Sequence, residues 1–304
     1  MAVVKAQGLT KVFAGGRGVF ELDFEVEEGE IFGFLGPNAA GKTTTIRLLM
    51  GLLKPTSGNA SVLGHDTWNE ASQVKSKIGF VPGELHLYEN LTGAAFLAFL
   101  AGFRPPGALA RASLLADRYQ LDLGQRVKHL SKGNRQKLIL ISALMPDPSL
   151  YLLDEPTSGL DPVMQAKVLE VLRDECGRGK TVFLSSHYLA EVEKVADRVA
   201  IVRDGRLVAL ERVEELRAKR VRHMEVIASS PLTADSFSGL PNVRFQASHA
   251  GGRHVELDVA GDLGPLLTRL AALPVVDVVY PPAELESVFL HYFEAARLDK
   301  ERGA

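Results

Sequence analysis

The chain has 304 residues, of which 46% are hydrophobic and 24% are charged, and its formal net charge is -2. These values are typical of an ordinary globular protein with room for one large and one small domain. A charge so close to zero provides no field that favours nucleic acid, so no nucleic-acid partner is expected. The single cysteine, Cys176, excludes an intramolecular disulfide, which suits a reducing cytosol.

No segment of the sequence has the features of a signal peptide or a membrane span. The first residues lack the apolar core of a signal peptide. The longest weakly polar stretch, residues 91–103, is shorter than the about 20 residues that cross a bilayer. We therefore expect a soluble protein whose membrane role, if it has one, comes through a partner.

The first 30 residues carry strand-like runs separated by glycine-containing turns. Phe13 lies just before the first of these turns. A nucleotide base needs a flat apolar surface to stack on, and an aromatic ring at this position would supply one. The alternative is an aromatic core residue at the end of a strand.

A turn that matches the pattern G-x-x-x-x-G-K-[S/T] without a mismatch follows the apolar run 31–35. Its residues are Gly36, Pro37, Asn38, Ala39, Ala40, Gly41, Lys42 and Thr43. A helix that extends to Leu53 is predicted after it, because Ile46, Leu49, Met50 and Leu53 recur at helical spacing. This gives the order strand, loop and helix that a phosphate-binding loop requires. Loop amides and the helix N-terminus would then face phosphate oxygens. Lys42 would reach the β- and γ-phosphates of ATP, and the Thr43 hydroxyl would hold Mg²⁺.

Strand-like and helix-like segments alternate from residue 59 to residue 202, with a short helix predicted at 68–77 and a mainly helical stretch at 91–145 that breaks at 104–107. Such alternation indicates a mostly parallel sheet, in which ligands bind at the carboxyl ends of the strands. The phosphate-binding loop, the pair Asp154-Glu155 and His187 each follow a strand directly. We therefore expect these groups to converge in space.

Three further groups are candidates for chemistry at this site. Asp154 could hold Mg²⁺, and Glu155 could polarise a water molecule at the γ-phosphate. Ser131 would cap a helix and, with Gly133 nearby, could form an anion site. Taken singly, each has an ordinary alternative: a polar strand end for the carboxylates and His187, and a simple helix cap for Ser131.

The order of these motifs resembles that of the ATP-binding subunits of ABC transporters, over residues 1 to about 215. The segment Leu130-Ser131-Lys132-Gly133-Asn134 stands at the family's signature sequence, Ser158-Gly159-Leu160-Asp161 at the next loop, and His187 at the switch histidine. Phe13 matches the base-stacking aromatic. The resemblance implies a P-loop NTPase core with a mostly parallel sheet, an antiparallel β-subdomain, a helical subdomain at about 84–146 and a small α+β C-terminal domain.

The resemblance also assigns roles, partners and a location. It implies an Mg²⁺-dependent ATPase with Glu155 and His187 as catalytic residues, and Thr43 and Asp154 at the metal. It implies a second ATP-binding subunit, expected to form a homodimer, so that two nucleotides lie between two such domains. It also implies a separate transmembrane permease, which would hold this chain at the cytoplasmic face of the membrane. The residues expected to bind nucleotide are Phe13, Gly36, Pro37, Asn38, Ala39, Ala40, Gly41, Lys42, Thr43, Thr44, Ser131 and Gly133, the last two reaching the opposite subunit's nucleotide.

The sequence departs from the family's pattern at three places. Ala39 stands where glycine is usual, and a left-handed backbone there would cost about 1 kcal/mol. The signature segment has Lys132 and Asn134 in place of glycine and glutamine. The glutamine of the glutamine loop is replaced by Gly83, so that either Glu84 or water takes its place, or coupling to the partner differs.

The sequence predicts an ATP-binding domain at 1–219 and an accessory α+β domain at 220–304. The second part carries strand-like runs, an apolar helix at 263–273 and a helix at 285–293, with no catalytic constellation. Its histidines lack metal-ligand spacing, which favours ordinary surface or core roles: His223, His249, His254 and His291. We expect residues 84–88 to be partly exposed and to receive a helix of the permease, with core packing of Leu85, Leu87 and Tyr88 as the alternative.

Three functions remain open at this point. The first is the ATPase of a membrane exporter whose transmembrane subunit is a separate chain. The second is an ABC-type ATPase acting outside transport, on nucleic acid or ribosomes, but such proteins usually carry two ATPase units or a long coiled-coil insertion. The third is a nucleotide-binding regulator that barely hydrolyses ATP, which the presence of Glu155 and His187 disfavours. The sequence does not reveal the transported substrate.

Overall fold

A computed structural model describes residues 1–83, 87–218 and 221–280, with the backbone alone described at 217, 218 and 221. The chain divides into two compact units, Met1–Glu211 and Arg212–Ala304. The division falls eight residues before the boundary expected from the sequence. Each unit is taken by itself below.

The first unit begins with an antiparallel sheet. Polar and apolar residues alternate along its second strand, so that one face is buried and the other exposed. The strand order is β2-β1-β4-β5. The four strands are β1 (Ala2–Val12), β2 (Gly18–Glu27), β4 (Ser57–Val62) and β5 (His65–Asp66).

A six-stranded sheet of order β10-β9-β3-β8-β7-β6 forms the centre of this unit. Its strands are β3 (Ile31–Leu35), β6 (Ile78–Val81), β7 (Leu150–Asp154), β8 (Thr181–Ser186), β9 (Arg198–Arg203) and β10 (Arg206–Arg212). Every residue of β3, β7 and β8 is buried, as expected for parallel strands covered on both faces. The predicted mostly parallel sheet is confirmed, and its pairing aligns the carboxyl ends of β3, β7 and β8.

Four phenylalanines join the two sheets. Phe24 of β2 packs against Phe32 and Phe34 of β3 and Phe183 of β8, with ring centroids 5.6 to 6.1 Å apart. Phe183 in turn packs against Phe32 and Phe34, at 5.7 and 5.2 Å. All four side chains are buried. Burial of large aromatic side chains contributes strongly to the free energy of folding. This cluster therefore fixes the antiparallel sheet against β3 and β8.

The described helices of this unit are α1 (Lys42–Leu49), α2 (Ala71–Lys77), α3 (Gly93–Ala101), α4 (Ala108–Arg118), α5 (Lys132–Leu144), α6 (Pro162–Gly177) and α7 (Leu189–Val195). The predicted break at 104–107 does separate α3 from α4. Two predicted bounds were wrong. Helix α1 ends at Leu49, before Leu53, because Gly51 adopts a left-handed turn with φ of 60°. Helix α2 begins at Ala71, three residues after Trp68.

The second unit contains a four-stranded antiparallel sheet of order β12-β13-β11-β14. Its elements are α8 (Val213–Ala218), β11 (Val221–Ala228), β12 (Val243–His249), β13 (His254–Ala260), α9 (Gly264–Ala271) and β14 (Val275–Val279). Leu266 and Leu270 of α9 pack with Met224, Val226 and Leu257 in one core. The expected strands and apolar helix are present, and the helix expected at 285–293 lies outside the described residues.

Three histidines of the second unit pair with acidic side chains on neighbouring strands, and the fourth, His291, lies outside the described residues. His249 contacts Glu256 at 3.0 Å, His254 contacts Glu225 at 3.1 Å, and His223 contacts Asp258. Across the residues that the structure describes, no group of three or more metal-binding side chains comes together. Nor does any described helix combine the length and the apolar character needed to cross a membrane.

An ion-pair network attaches α4 to the rest of the first unit. Arg111 contacts Glu175 of α6 at 2.7 Å, and its Nε donates to the Leu144 carbonyl at the end of α5. Glu175 is buried and also accepts a hydrogen bond from the hydroxyl of Tyr151, 2.8 Å away. Burial, and then the neighbouring Glu175 carboxylate, raise the pKa of Tyr151, which keeps this donor protonated.

We expect Arg111→Met to lower the free energy of unfolding by about 2 kcal/mol, because it removes a cation from a buried carboxylate. Arg178, which lies 3.0 Å from Glu175, limits the loss. The matched control is Arg118→Met, which breaks the exposed pair with Asp174 and should cost less than about 1 kcal/mol. Urea denaturation of both variants makes the comparison, and equal losses would show that Arg111 does not anchor α4.

Candidate functional site

The phosphate-binding loop follows β3 and turns sharply into α1. A Cβ atom on Gly36 would lie 2.4 Å from the carbonyl oxygen of Val202, so only glycine fits there. Gly41 adopts φ of 105°, a conformation that L side chains rarely take. Ala39 adopts φ of 65° and thus has the left-handed backbone that is costly for a residue other than glycine. This loop therefore carries strain at one non-glycine residue.

The N-terminus of α1 is open for an anion. Gly41 is its N-cap residue and offers no side-chain hydrogen bond to the first turn. The amide groups that begin a helix lack partners within the helix, and they and the helix dipole favour negative charge. Lys42, Thr43 and Thr44 supply these amides together with a cationic and two hydroxyl side chains. This combination suits phosphate.

Lys42 is buried and folds back over its own loop. Its Nζ donates to the carbonyl oxygens of Gly36 at 2.7 Å and Pro37 at 3.1 Å. The same Nζ lies 3.3 Å from Oε1 of Glu155, which follows β7. The lysine charge is thus balanced by a carboxylate from the neighbouring strand end.

The predicted convergence of strand ends is present. Oε1 of Glu155 also lies 3.2 Å from Nδ1 of His187, at ion-pair distance but outside hydrogen-bond geometry. Asp154 is buried, and its Oδ1 accepts a 2.6 Å hydrogen bond from the hydroxyl of Ser185. A lysine, two carboxylates and a histidine therefore meet where β3, β7 and β8 end.

A cleft of about 250 Å³ opens over the loop. Phe13 stands at its rim, and the ring is 41% exposed, so the alternative of an aromatic core residue is wrong. Lys11 lies over the ring, with Nζ 5.7 Å from its centroid. The lining consists of Phe13, Arg17, Gly18, Asn38, Ala39, Ala40, Gly41, Lys42, Thr43, Thr44 and Glu155.

Ser131 and Gly133 do not line this cleft. Ser131 caps α5, as predicted, by accepting a hydrogen bond from the amide of Asn134 at 3.2 Å. The Gly133 backbone packs against the loop of Gly159 and Leu160, with 3.4 Å between a Cβ built on Gly133 and the Gly159 carbonyl oxygen. Within one chain, the structure thus brings Gly133 to the 158–161 loop, and neither residue lines the phosphate-binding cleft.

Gly83 lies directly beside Asp154. A Cβ atom on Gly83 would be 2.8 Å from Oδ2 of Asp154. The two residues border a second cavity of about 190 Å³, together with Thr43 and a mainly apolar wall. Glu84, which the sequence offered as a substitute for the glutamine, lies outside the described residues.

Several polar groups near the site were missed from the sequence. Glu191 is buried, and its Oε2 accepts hydrogen bonds from Thr157 at 2.9 Å and Ser186 at 3.0 Å. It thereby ties the segment before the 158–161 loop to the residue before His187. Gln136 of α5 is buried and donates to the carbonyl oxygen of Pro156. Nothing in the sequence pattern distinguishes these residues from ordinary polar positions.

Comparison with known proteins identifies relatives of one kind. A family model described as ABC transporter matches residues 19–158. The chain is 39% identical over 220 residues to the daunorubicin/doxorubicin resistance ATP-binding protein DrrA of Streptomyces peucetius, covering 71% of this chain and 67% of that protein. It is 32% identical over 282 residues to the Nod factor export ATP-binding protein I of Burkholderia orbicola, covering 88% and 90%.

A solved structure gives the same result for the fold. The match is the dimeric ATP-binding cassette MJ0796 in a post-hydrolysis state, bound to ADP and Pi. It is 25% identical to this chain, with a TM-score of 0.64, and the match covers 69% of this chain and 98% of that structure.

We expect Ala39→Gly to raise the free energy of unfolding by roughly 1 kcal/mol, because glycine relieves the left-handed strain. Glycine also raises the entropy of the unfolded chain, which offsets a smaller part of this gain. Ala40→Gly is the matched control. Ala40 is buried at the next position and has no positive φ, so glycine there should destabilise the protein. Urea denaturation measures both, and an Ala39→Gly variant less stable than the parent would contradict the strain.

Proposed function

The chain belongs to the family of ATP-binding subunits of ABC transporters, and we propose that it hydrolyses ATP, with Mg²⁺, to power export through a separate permease. The observation that carries this proposal is the position of Oε1 of Glu155. It lies 3.3 Å from Nζ of Lys42 and 3.2 Å from Nδ1 of His187. The proposed base Glu155, the cation of Lys42 and the imidazole of His187 thus lie in contact at the edge of the phosphate-binding cleft.

ATP binding would use groups that are already in place. The adenine would stack on the exposed ring of Phe13, and the phosphates would lie along the loop from Gly36 to Thr44. Lys42 now bonds to neutral carbonyl oxygens, and phosphate oxygens are stronger acceptors because they carry charge. Nucleotide entry would therefore draw the ammonium group from its own loop and release Glu155 from its contact.

Glu155 would then act on water. Its side chain is partly exposed at the edge of the cleft, where a water molecule can reach it. A carboxylate in that position accepts a proton as the water attacks the γ-phosphorus and the bond to ADP breaks, giving ADP and inorganic phosphate. His187, beside the same oxygen, would donate a hydrogen bond to the γ-phosphate and orient it.

The residues present fit a magnesium ion. Thr43 provides a hydroxyl at the start of α1, and Asp154 provides a buried carboxylate. Within the described part of the chain no basic side chain forms an ion pair with Asp154, so its charge suits a cation. The ion, when bound, supplies charge that stabilises the transferring phosphoryl group.

A second copy of the chain would complete the site. Ser131 is exposed, and it stands with Gly133 at the N-terminus of α5, away from the cleft of its own chain. A helix N-terminus that faces outwards can bind the phosphates of another subunit's nucleotide. The similar cassette MJ0796 is dimeric in its post-hydrolysis structure, which supports a homodimer here.

An exposed aromatic patch on the helical segment is a candidate binding surface for the permease. It consists of Tyr88, Phe99 and Phe103, whose side chains are 59%, 47% and 74% exposed and whose rings stack edge to face. Exposed apolar side chains in contact with one another mark a binding surface, and helix ends dock into such surfaces. We propose that a cytoplasmic helix of the permease binds this patch and holds the subunit at the membrane.

We expect Glu155→Gln to keep ATP binding and to lower the turnover number by 10²- to 10⁴-fold, because the amide cannot accept the proton from water. Lys42→Ala should instead lose ATP affinity, since the main countercharge for the phosphates is gone. Glu170→Gln, on the exposed face of α6, is the control. Phosphate release and equilibrium ATP titration separate the two effects, and near-parental turnover of Glu155→Gln would refute the assignment.

We expect Tyr88→Ala and Phe99→Ala to weaken the stimulation of ATP hydrolysis by the permease while leaving basal hydrolysis unchanged. The melting temperature should fall by little, because Tyr88 is 59% exposed and Phe99 is 47% exposed. Leu267→Ala, which truncates an exposed side chain of the second unit, is the control. Vesicles with reconstituted permease provide the assay, and a large fall in melting temperature would place Tyr88 in the core.

A further inference from the structure

One buried hydroxyl group touches both carboxylate residues of the site. Ser185 of β8 is fully buried, and its Oγ lies 2.6 Å from Oδ1 of Asp154. The amide of Glu155 donates to the same Oγ at 3.1 Å and to the carbonyl oxygen of Ser185 at 3.2 Å. An amide only donates and an ionised carboxylate only accepts, so the hydroxyl hydrogen points at Asp154.

The backbone at Glu155 needs this support. Glu155 has φ of 49°, a left-handed conformation that is costly for a residue other than glycine. Such strain persists only where surrounding contacts enforce it. The two hydrogen bonds from its amide to Ser185 are contacts of that kind, and they set the direction in which the Glu155 side chain leaves β7.

The other oxygen of Asp154 is confined from the opposite side. Oδ2 lies over Gly83, where a Cβ atom would approach it to 2.8 Å. Asp154, Gly83 and the hydroxyl-bearing Thr43 border the same cavity of about 190 Å³. Oδ1 is therefore occupied by the hydrogen bond from Ser185, and because Gly83 has no side chain, Oδ2 is left for a cation.

We propose that Ser185 is a positioning residue that orients Asp154 toward Mg²⁺ and Glu155 toward the attacking water. The proposal rests on the proposed function, because it concerns the same metal and the same base. Ser185 touches neither nucleotide nor metal, and it acts through the two residues that do. Hydrogen-bond partners behind metal ligands typically contribute 10- to 100-fold in metal affinity or activity.

The test separates metal affinity, nucleotide affinity and stability. We expect Ser185→Ala to weaken Mn²⁺ binding about 10-fold in the presence of a non-hydrolysable ATP analogue, measured by electron paramagnetic resonance of the free ion. Metal-free affinity for the analogue should change less than about twofold, because the loop and Phe13 are untouched. Turnover should fall about 10- to 100-fold, with KM for ATP nearly unchanged.

Thr181→Val is the matched control. Thr181 is buried on the same strand, and its hydroxyl accepts a hydrogen bond from the amide of Gly29 at 2.9 Å. The variant loses a buried hydroxyl contact of similar kind but far from the carboxylates, so it should lose stability without losing Mn²⁺ affinity. Ser185→Cys keeps a weaker donor and should give intermediate Mn²⁺ affinity. If Ser185→Ala does not fold, Ser185→Cys is compared with Thr181→Val in its place.

Two failures have different meanings. If the parent protein binds the analogue and Mn²⁺ while Ser185→Ala and Ser185→Cys match Thr181→Val in every measurement, Ser185 is merely structural and the inference is overturned. If the parent protein itself binds neither the analogue nor Mn²⁺ with the analogue, the proposed function fails, and the inference fails with it.

Discussion

The contact between Lys42 and Glu155 is the interaction on which the rest of the site depends. It joins the loop after β3 to the residue after β7, with 3.3 Å between Nζ and Oε1. The buried lysine would be costly without a partner, and the carboxylate compensates its charge in the resting protein. In the proposed mechanism phosphate is the stronger partner of Lys42, so that Glu155 would be released from this contact only when nucleotide is bound. The proposal thereby links substrate binding and activation of the base through a single ammonium group.

The pairing of the central strands brings Lys42 and Glu155 together. Parallel pairing of β3, β7 and β8 aligns their carboxyl ends, and full burial of the three strands leaves little freedom for their register. The phenylalanine cluster fixes the antiparallel sheet against β3, which brings Phe13 to the rim of the same cleft. The ion pairs of Arg111 attach the helical segment that carries Ser131. The two sheets thus contribute to the cleft itself, whereas the helical segment carries Ser131 away from the cleft of its own chain.

The sequence predicted those features that depend on local pattern. The loop from Gly36 to Thr43, the cap at Ser131 and the strand before Asp154 are each specified by residues close together in the chain. Contacts across strands were not predictable. Ser185 meets Asp154 and Glu191 meets Thr157 only because β7 and β8 are paired, and about thirty residues separate each pair along the chain. Gly83 was noticed as an absent side chain, but its approach to Asp154 depends on the pairing of β6 with β7.

The most direct test of this account is a crystal structure of the protein with Mg²⁺ and a non-hydrolysable ATP analogue. The account predicts that the triphosphate lies along the loop from Gly36 to Thr44 and that Nζ of Lys42 has left the Gly36 carbonyl for phosphate oxygens within about 3 Å. It also predicts the metal between Thr43 and Asp154. A nucleotide bound elsewhere, or a Lys42 that stays on Gly36 and Glu155 with nucleotide present, would contradict it.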